Sequence, residues 1–134
     1  MLGLQLAEQD PLQLHAALQA GLPARAVAAL KAQTALSDAE LAEALQISDR
    51  TLSRLKSAAP PTRLPADLSD RLYGVASIFS LAETVLGSHE AALEWMTAPQ
   101  FGLAQSPPRA LLSTEPGRRA VRSLLERIEH GFLA

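Results

Sequence analysis

Arg50 and Arg54 stand one helical turn apart in the stretch Ile47-Ser48-Asp49-Arg50-Thr51-Leu52-Ser53-Arg54, and their spacing most directly sets up a chemistry. Placed on a helix at about 100° per residue, Arg50, Ser53, Arg54 and Ser57 fall within an arc of about 100°, with Leu52 and Leu55 opposite. A guanidinium pairs bidentately with a guanine edge or clamps a phosphate, and hydroxyls near a helix start can bond phosphate oxygens. The candidate DNA-reading set is therefore Ser48, Arg50, Thr51, Ser53 and Arg54. The same wheel also describes a solvated face that happens to carry two arginines. What favours the DNA reading is the setting. Ser37-Asp38-Ala39-Glu40 has the capping-box pattern, a short helix bearing Leu41, Ala42 and Leu45 follows, and Ser48 is placed to cap the next one. Two short helices joined by some three residues have the spacing of a helix-turn-helix. Asp49 is adverse to phosphate and favourable to a helix N-terminus, so it does not decide. One such module reads about half a site and binds weakly, so a DNA-binding role implies a dimer.

Catalytic and metal chemistry find no comparable constellation. His15, His89 and His130 are scattered without ligand spacing: His15 is expected as a partly exposed helix residue, His89 after a cap facing solvent, and His130 is explained by the macrodipole at a helix C-terminus. Glu126 and Glu129 share a helix face, but Arg122 and Arg127 are neighbours, so ion pairing is the expectation. No phosphate-binding glycine loop and no nucleophile elbow occur. Trp95 and Met96 are expected in the core. The reading is of a non-enzymatic chain with no catalytic residues, no metal site and no cofactor.

The 134 residues fit one domain or two very small ones. Residues are 48% hydrophobic but only 4% aromatic, so a core must be built from Leu, Ala, Val and Ile. Abundant Leu and Ala with few β-branched residues favour helix, and no segment alternates as a half-buried strand does. The absence of cysteine excludes disulfides and thiolate metal sites and fits a reducing cytoplasm, the expected location. No apolar run approaches the roughly 18–20 residues that span a bilayer, and MLGLQLAEQD lacks the basic start of a signal peptide. The net charge of −2 is spread evenly, so DNA binding must come from a local patch rather than a general basic coat.

The punctuation of the chain predicts its helices. Asp10-Pro11 opens the first, which carries Leu12, Leu14 and Leu18 and ends at Gly21. A second, with Val27 and Leu30, starts near Pro23 and stops around Thr34. Residues 58–65, AAPPTRLP, hold three prolines and read as a linker between residues 1–60, the helix-turn-helix module, and residues 61–134, a C-terminal helical domain. Beyond it come a long helix from Leu68 to Leu86, a shorter one from the Ser88 cap through Met96, a Pro- and Gly-rich stretch at 97–108 expected to be irregular, and a turn at 108–112. The last helix has both ends marked: Thr114, Glu115 and Pro116 at its start and Gly131 past its end. Val121, Leu124, Leu125 and Ile128 make its apolar stripe, leaving Arg118, Arg119, Arg122, Glu126 and Glu129 for the surface. Phe132-Leu133-Ala134 then places apolar side chains where a chain is normally polar, so this tail docks either on its own domain or on something else.

Taken together these motifs resemble the Xre/ParS/MbcA-type antitoxins, partners of RES-domain toxins. The resemblance runs over about residues 34–134. Its residues are the Arg50-Thr51-Leu52 core of the second short helix; Leu68-Ser69-Asp70-Arg71-Leu72, similar to the signature that opens the toxin-binding domain; Ala82-Glu83-Thr84-Val85-Leu86-Gly87 with Trp95-Met96; and Ser106-Pro107, Leu111-Leu112, Thr114-Glu115, Gly117, Val121 and Leu125 through Gly131. Three departures stand out. Gln46 and Gln105 replace glycines usual in the family, and Tyr73-Gly74 replaces a more often basic position. The resemblance implies an all-α fold, a helix-turn-helix followed by a toxin-binding helical domain. It implies a cognate RES-domain toxin that degrades NAD, neutralised when the antitoxin covers its pocket. Arg122, Glu126, Glu129 and His130 would contact that toxin, with Phe132, Leu133 and Ala134 near the pocket. It further implies an inverted-repeat operator through which the operon is autorepressed, a homodimer, and a larger toxin–antitoxin hetero-oligomer. The alternative is a stand-alone repressor whose C-terminal half only dimerises.

Overall fold

A computed structural model describes residues 10–131; the tail residues Phe132, Leu133 and Ala134 lie outside the described residues. The fold is all-α, as expected. Its elements are α1 (Pro11–Ala20), α2 (Arg25–Thr34), α3 (Asp38–Leu45), α4 (Asp49–Lys56), α5 (Ala66–Leu86), α6 (His89–Thr97), 3-10 turns at Phe101–Leu103 and Pro108–Leu111, and α7 (Glu115–Glu129). The chain divides into two compact units, Met1–Ala76 and Ser77–Ala134.

In the first unit α1 begins where Asp10 accepts hydrogen bonds from the N–H groups of Leu12 (2.9 Å) and Gln13 (3.0 Å), with Pro11 supplying the pre-set φ of the first helical position. None of its residues is buried, and Leu12 is 80% exposed. The core lies in the next three helices, around Val27, Leu30, Leu41, Leu45 and Leu52, each at most 1% exposed. Burying a leucine to that degree stabilises by roughly 1.5–3 kcal/mol, which is how helices as short as α3 and α4 are held.

Residues 62–64 do not behave as the expected linker. Ala24 N–H donates to the Thr62 carbonyl (2.9 Å), Leu64 N–H to the Leu22 carbonyl (2.8 Å), and the Arg63 guanidinium to the Gly21 carbonyl (2.8 Å). Leu64 is buried. Gly21 has φ +94° and lies so close that a Cβ there would run into the Leu64 carbonyl oxygen, so it serves both the helix end and this approach. Ser69, fully buried, accepts from Leu22 N–H (2.9 Å), and Arg71 Nε donates to the Leu45 carbonyl (2.9 Å). The first unit therefore continues to Ala76, within α5, rather than breaking after residue 60. Three prolines do stop a helix here, but a helix stop is not a domain boundary when the backbone after it is hydrogen-bonded to what came before.

In the second unit Ile78, Phe79, Met96, Leu112, Val121, Leu124 and Leu125 form the core, and Ile128 and Trp95 are half-buried. Gly87 (φ +96°) ends α5, and Ser88 Oγ accepts from Ala91 N–H (3.0 Å) to start α6. Arg118, expected on the surface, is instead 7% exposed: its Nη1 donates to the Leu112 carbonyl (2.8 Å), with Glu115 at 3.5 Å from Nη2. The α7 stripe is correct, but its edge reaches one position further because the second 3-10 turn wraps over the helix start. Gly117 lies under the same turn, and a Cβ there would meet the Leu111 carbonyl oxygen. Gly117→Ala is expected to cost about 1–3 kcal/mol through overpacking, read as a lower urea midpoint; an unchanged midpoint would mean the turn moves away freely.

Candidate nucleic-acid and protein interfaces

The turn between α3 and α4 is Gln46-Ile47-Ser48, the three residues expected of a helix-turn-helix. The capping box at Ser37 is complete: Ser37 Oγ accepts from Glu40 N–H (3.1 Å) and Glu40 accepts from Ser37 N–H (2.9 Å). Gln46 holds φ +57°, ψ +45°, the left-handed conformation that glycine adopts without strain. For a residue with a Cβ this costs about 1–2 kcal/mol, part of which is offset as its side-chain amide donates to the Glu43 carbonyl (2.8 Å). The turn keeps a glycine-type backbone with a glutamine in it. Gln105, at φ +65°, does the same in the second unit.

On α4, Leu52 and Leu55 are buried against the rest of the unit while Arg50, Ser53 and Arg54 are exposed. Neither arginine side chain has a hydrogen bond or ion pair among the described residues. Ser48 Oγ accepts from Thr51 N–H (3.0 Å) and donates to Thr51 Oγ1 (3.0 Å), which leaves the Thr51 hydroxyl hydrogen as the one aimed elsewhere. Lys56, two residues beyond Arg54, is unavailable. Its ammonium lies 2.9 and 3.0 Å from the two carboxylate oxygens of Asp38, and Lys31 reaches the same carboxylate at 3.2 Å. Asp38 thus joins α2, α3 and α4 at one point. The hydrogen bonds from Lys56 and then Lys31 hold its carboxyl below the ordinary value of 3.8.

On α7, Glu126, Glu129 and His130 are exposed. The expected ion pairs of these carboxylates with Arg122 and Arg127 do not form among the described residues. Arg122 is half-buried and turned the other way, its Nη2 3.4 Å from Ser77 Oγ. An i, i+4 pair on a wet surface gains only a few tenths of a kcal/mol, too little to outweigh a partly buried alternative. His89 is exposed, as expected, and its Nδ1 lies 3.1 Å from a Glu83 carboxylate oxygen. No group of three or more potential metal ligands occurs among the described residues, and no described helix is long and apolar enough to cross a membrane.

Residues 13–77 match the antitoxin Xre-like helix-turn-helix domain, and residues 81–131 match the antitoxin Xre/MbcA/ParS C-terminal toxin-binding domain. Over 122 residues the chain is 30% identical to an antitoxin Xre of Photorhabdus laumondii, covering 90% of this chain and 81% of that one. The chain belongs to the Xre antitoxin family. An antitoxin Xre of Pseudomonas putida is 29% identical over 121 residues, 90% of this chain and 73% of that protein. The M. tuberculosis MbcT–MbcA toxin–antitoxin complex contains a chain of the same fold, with a TM-score of 0.59 at 20% identity over 83% of this chain and 96% of that one. The two family domains meet between residues 77 and 81, beside the division of the compact units. Ser69 and Arg71, taken from the sequence as opening the toxin-binding domain, thus fall in the helix-turn-helix domain of this Xre-family chain, where their hydrogen bonds also lie.

Sequence reasoning missed Ser69, Arg71, Arg118 and the Asp38 cluster as positioning groups. Nothing in the local pattern couples Lys56 to Asp38, 18 residues apart. Because the folded Asp38 carboxyl titrates below its unfolded value, its contribution is present above that value and disappears as pH falls through the folded one. Asp38→Asn is expected to lower the unfolding midpoint at pH 7, with the gap to the unsubstituted chain closing as the pH drops below about 4. A gap that stays constant down to pH 2 would show that the two ion pairs contribute nothing.

Proposed function

We propose that this chain neutralises a cognate RES-domain toxin that degrades NAD, and that it represses its own operon by binding an inverted repeat. In this reading α7 and the residues after it cover the toxin's pocket, and two copies of α4 read the operator. The carrying observation is that a toxin-binding domain and a helix-turn-helix domain of one antitoxin family follow each other in this chain. A chain of the same fold occurs in the MbcT–MbcA toxin–antitoxin complex, which supports a protein toxin as partner. The chain acts in the cytoplasm by occupying surfaces, without chemistry of its own.

The geometry supports each half. Arg50 and Arg54 are unpartnered among the described residues, flanked by Ser53 and Thr51, and backed by two buried leucines. Charged groups not spent on internal pairs are what phosphate and base contacts need. On α7 the exposed Glu126 and Glu129 sit beside the helix C-terminus, whose carbonyls add negative potential. A pocket that holds a dinucleotide presents donors and positive charge to phosphates, and the two carboxylates, one charge in excess of the exposed Arg127 between them, are complementary to it. Arg122, by contrast, contributes by releasing Ser77 or from the edge of the contact. Phe132, Leu133 and Ala134 follow in the sequence, outside the described residues, and complete the proposed covering segment.

Arg50→Ala with Arg54→Ala is expected to abolish retention of an operator fragment in a gel shift at physiological salt while leaving toxin capture intact. Undiminished retention would place the reading face elsewhere. Co-expression with the product of the neighbouring gene, the proposed RES-domain toxin, tests the other half. The unsubstituted chain should preserve growth and cellular NAD, whereas Glu126→Lys with Glu129→Lys, or removal of residues 130–134, should let NAD fall. Full protection by both variants would refute the covering role of this end, and an unchanged NAD level in cells making the partner alone would refute the proposed toxin chemistry.

A further inference from the structure

We propose that Phe101, at the tip of the turn between α6 and α7, is an anchor that inserts into an apolar pocket on the toxin, separate from the contact made by the end of α7. This rests on the toxin-binding reading above. Phe101 is 81% exposed, one of two large apolar side chains displayed in this way among the described residues. An isolated exposed apolar residue is ordinary on a protein surface; what sets this one apart is the structure beneath it.

Gln100 and Ser106 pair across the base of the turn: Gln100 N–H donates to the Ser106 carbonyl (3.2 Å), and Gln105 N–H returns to the Gln100 carbonyl (2.9 Å). Leu103 N–H also donates to Gln100 (3.0 Å), Ala104 N–H to Phe101 (3.2 Å) and Ser106 N–H to Leu103 (3.0 Å). The Gln100 side-chain amide fixes the base to α6 through the carbonyls of Trp95 (3.1 Å) and Ala98 (3.2 Å). Leu103 is buried, and the turn packs on α7. Two successive residues with side chains, Ala104 and Gln105, hold left-handed conformations at φ +54° and +65°. Strain of that kind persists only where the surroundings over-determine it, and it concentrates at sites of recognition.

The turn is thus a rigid mount, two residues from a buried leucine, that spends strain and hydrogen bonds to hold an aromatic ring in water. Aromatic anchors on preorganised backbone lose little entropy on binding and dominate interface energetics. The surrounding segment, Thr97 to Pro108, contains no charged residue, as the centre of an interface requires. A protein toxin is the occupant favoured over a second copy, because the turn lies inside the 81–131 toxin-binding domain and packs against the helix that carries Glu126 and Glu129.

The test uses the full chain and the product of the neighbouring gene as the proposed toxin, with binding followed by surface plasmon resonance. Phe101→Ala is expected to weaken binding about 30-fold or more, chiefly through faster dissociation, and Phe101→Leu to restore most of it. Operator retention and the thermal midpoint should not move, since the ring is exposed. Wild-type affinity in Phe101→Ala overturns the proposal, and the same result with a smaller particle in light scattering assigns the ring to a second copy. Failure of the unsubstituted chain to bind the toxin overturns the toxin-binding reading and this inference with it.

Discussion

A helix leaves its first N–H groups and last carbonyls without partners inside itself, and in α3 and α4, eight residues each, those ends are most of the helix. The structure depends on how they are satisfied. The capping box at Ser37 and the hydroxyl of Ser48 close the two N-termini from within. The C-terminal side of α3 is closed locally by the Gln46 and Ile47 N–H groups and from far away by Arg71, which donates to the Leu45 carbonyl. That bond and the Ser69–Leu22 bond tie α5 to the helix-turn-helix, so the long helix begins as part of the first unit before it serves the second. The domain boundary follows from these hydrogen bonds rather than from the prolines.

A similar logic governs the start of α7. Thr114 caps it and Glu115 suits its positive end, but Arg118 does what neither can. It carries its charge into the interior and delivers a hydrogen bond to the Leu112 carbonyl, in the turn before the helix. Buried charges of this sort are tolerated only when their donors are used. Gly117 permits the same approach by having no Cβ. Together they fix where the last helix starts, and so where Glu126, Glu129 and His130 arrive.

Exposed charges of the same sign are treated differently by the fold. Lys31 and Lys56 are consumed by Asp38, binding three helices of the first unit, whereas Arg50 and Arg54 are exposed on α4 without side-chain partners among the described residues. At the other end Arg122 is drawn toward Ser77 and leaves Glu126 and Glu129 unpaired among the described residues. A wheel cannot make this distinction, because it assigns every exposed charge the same standing.

Helix starts and stops were legible in the sequence because they depend on local rules: a cap hydroxyl or carboxylate, a proline at N1, a glycine at the end. The buried sides of α3, α4 and α7 were legible for the same reason, since periodicity of 3.6 decides which residues share a face. The family was legible because its motifs are local too, and even the two departures from glycine, Gln46 and Gln105, fell on backbone that is left-handed. What only the tertiary structure decided is everything that joins residues far apart: the return of residues 62–64 onto 21–24, the sharing of Asp38 by two lysines, the burial of Arg118 and the display of Phe101. These are set by which surfaces meet, and the free energy of a meeting depends on both partners at once. A pattern read along one segment carries information about that segment's faces and ends, but not about what comes to lie against them.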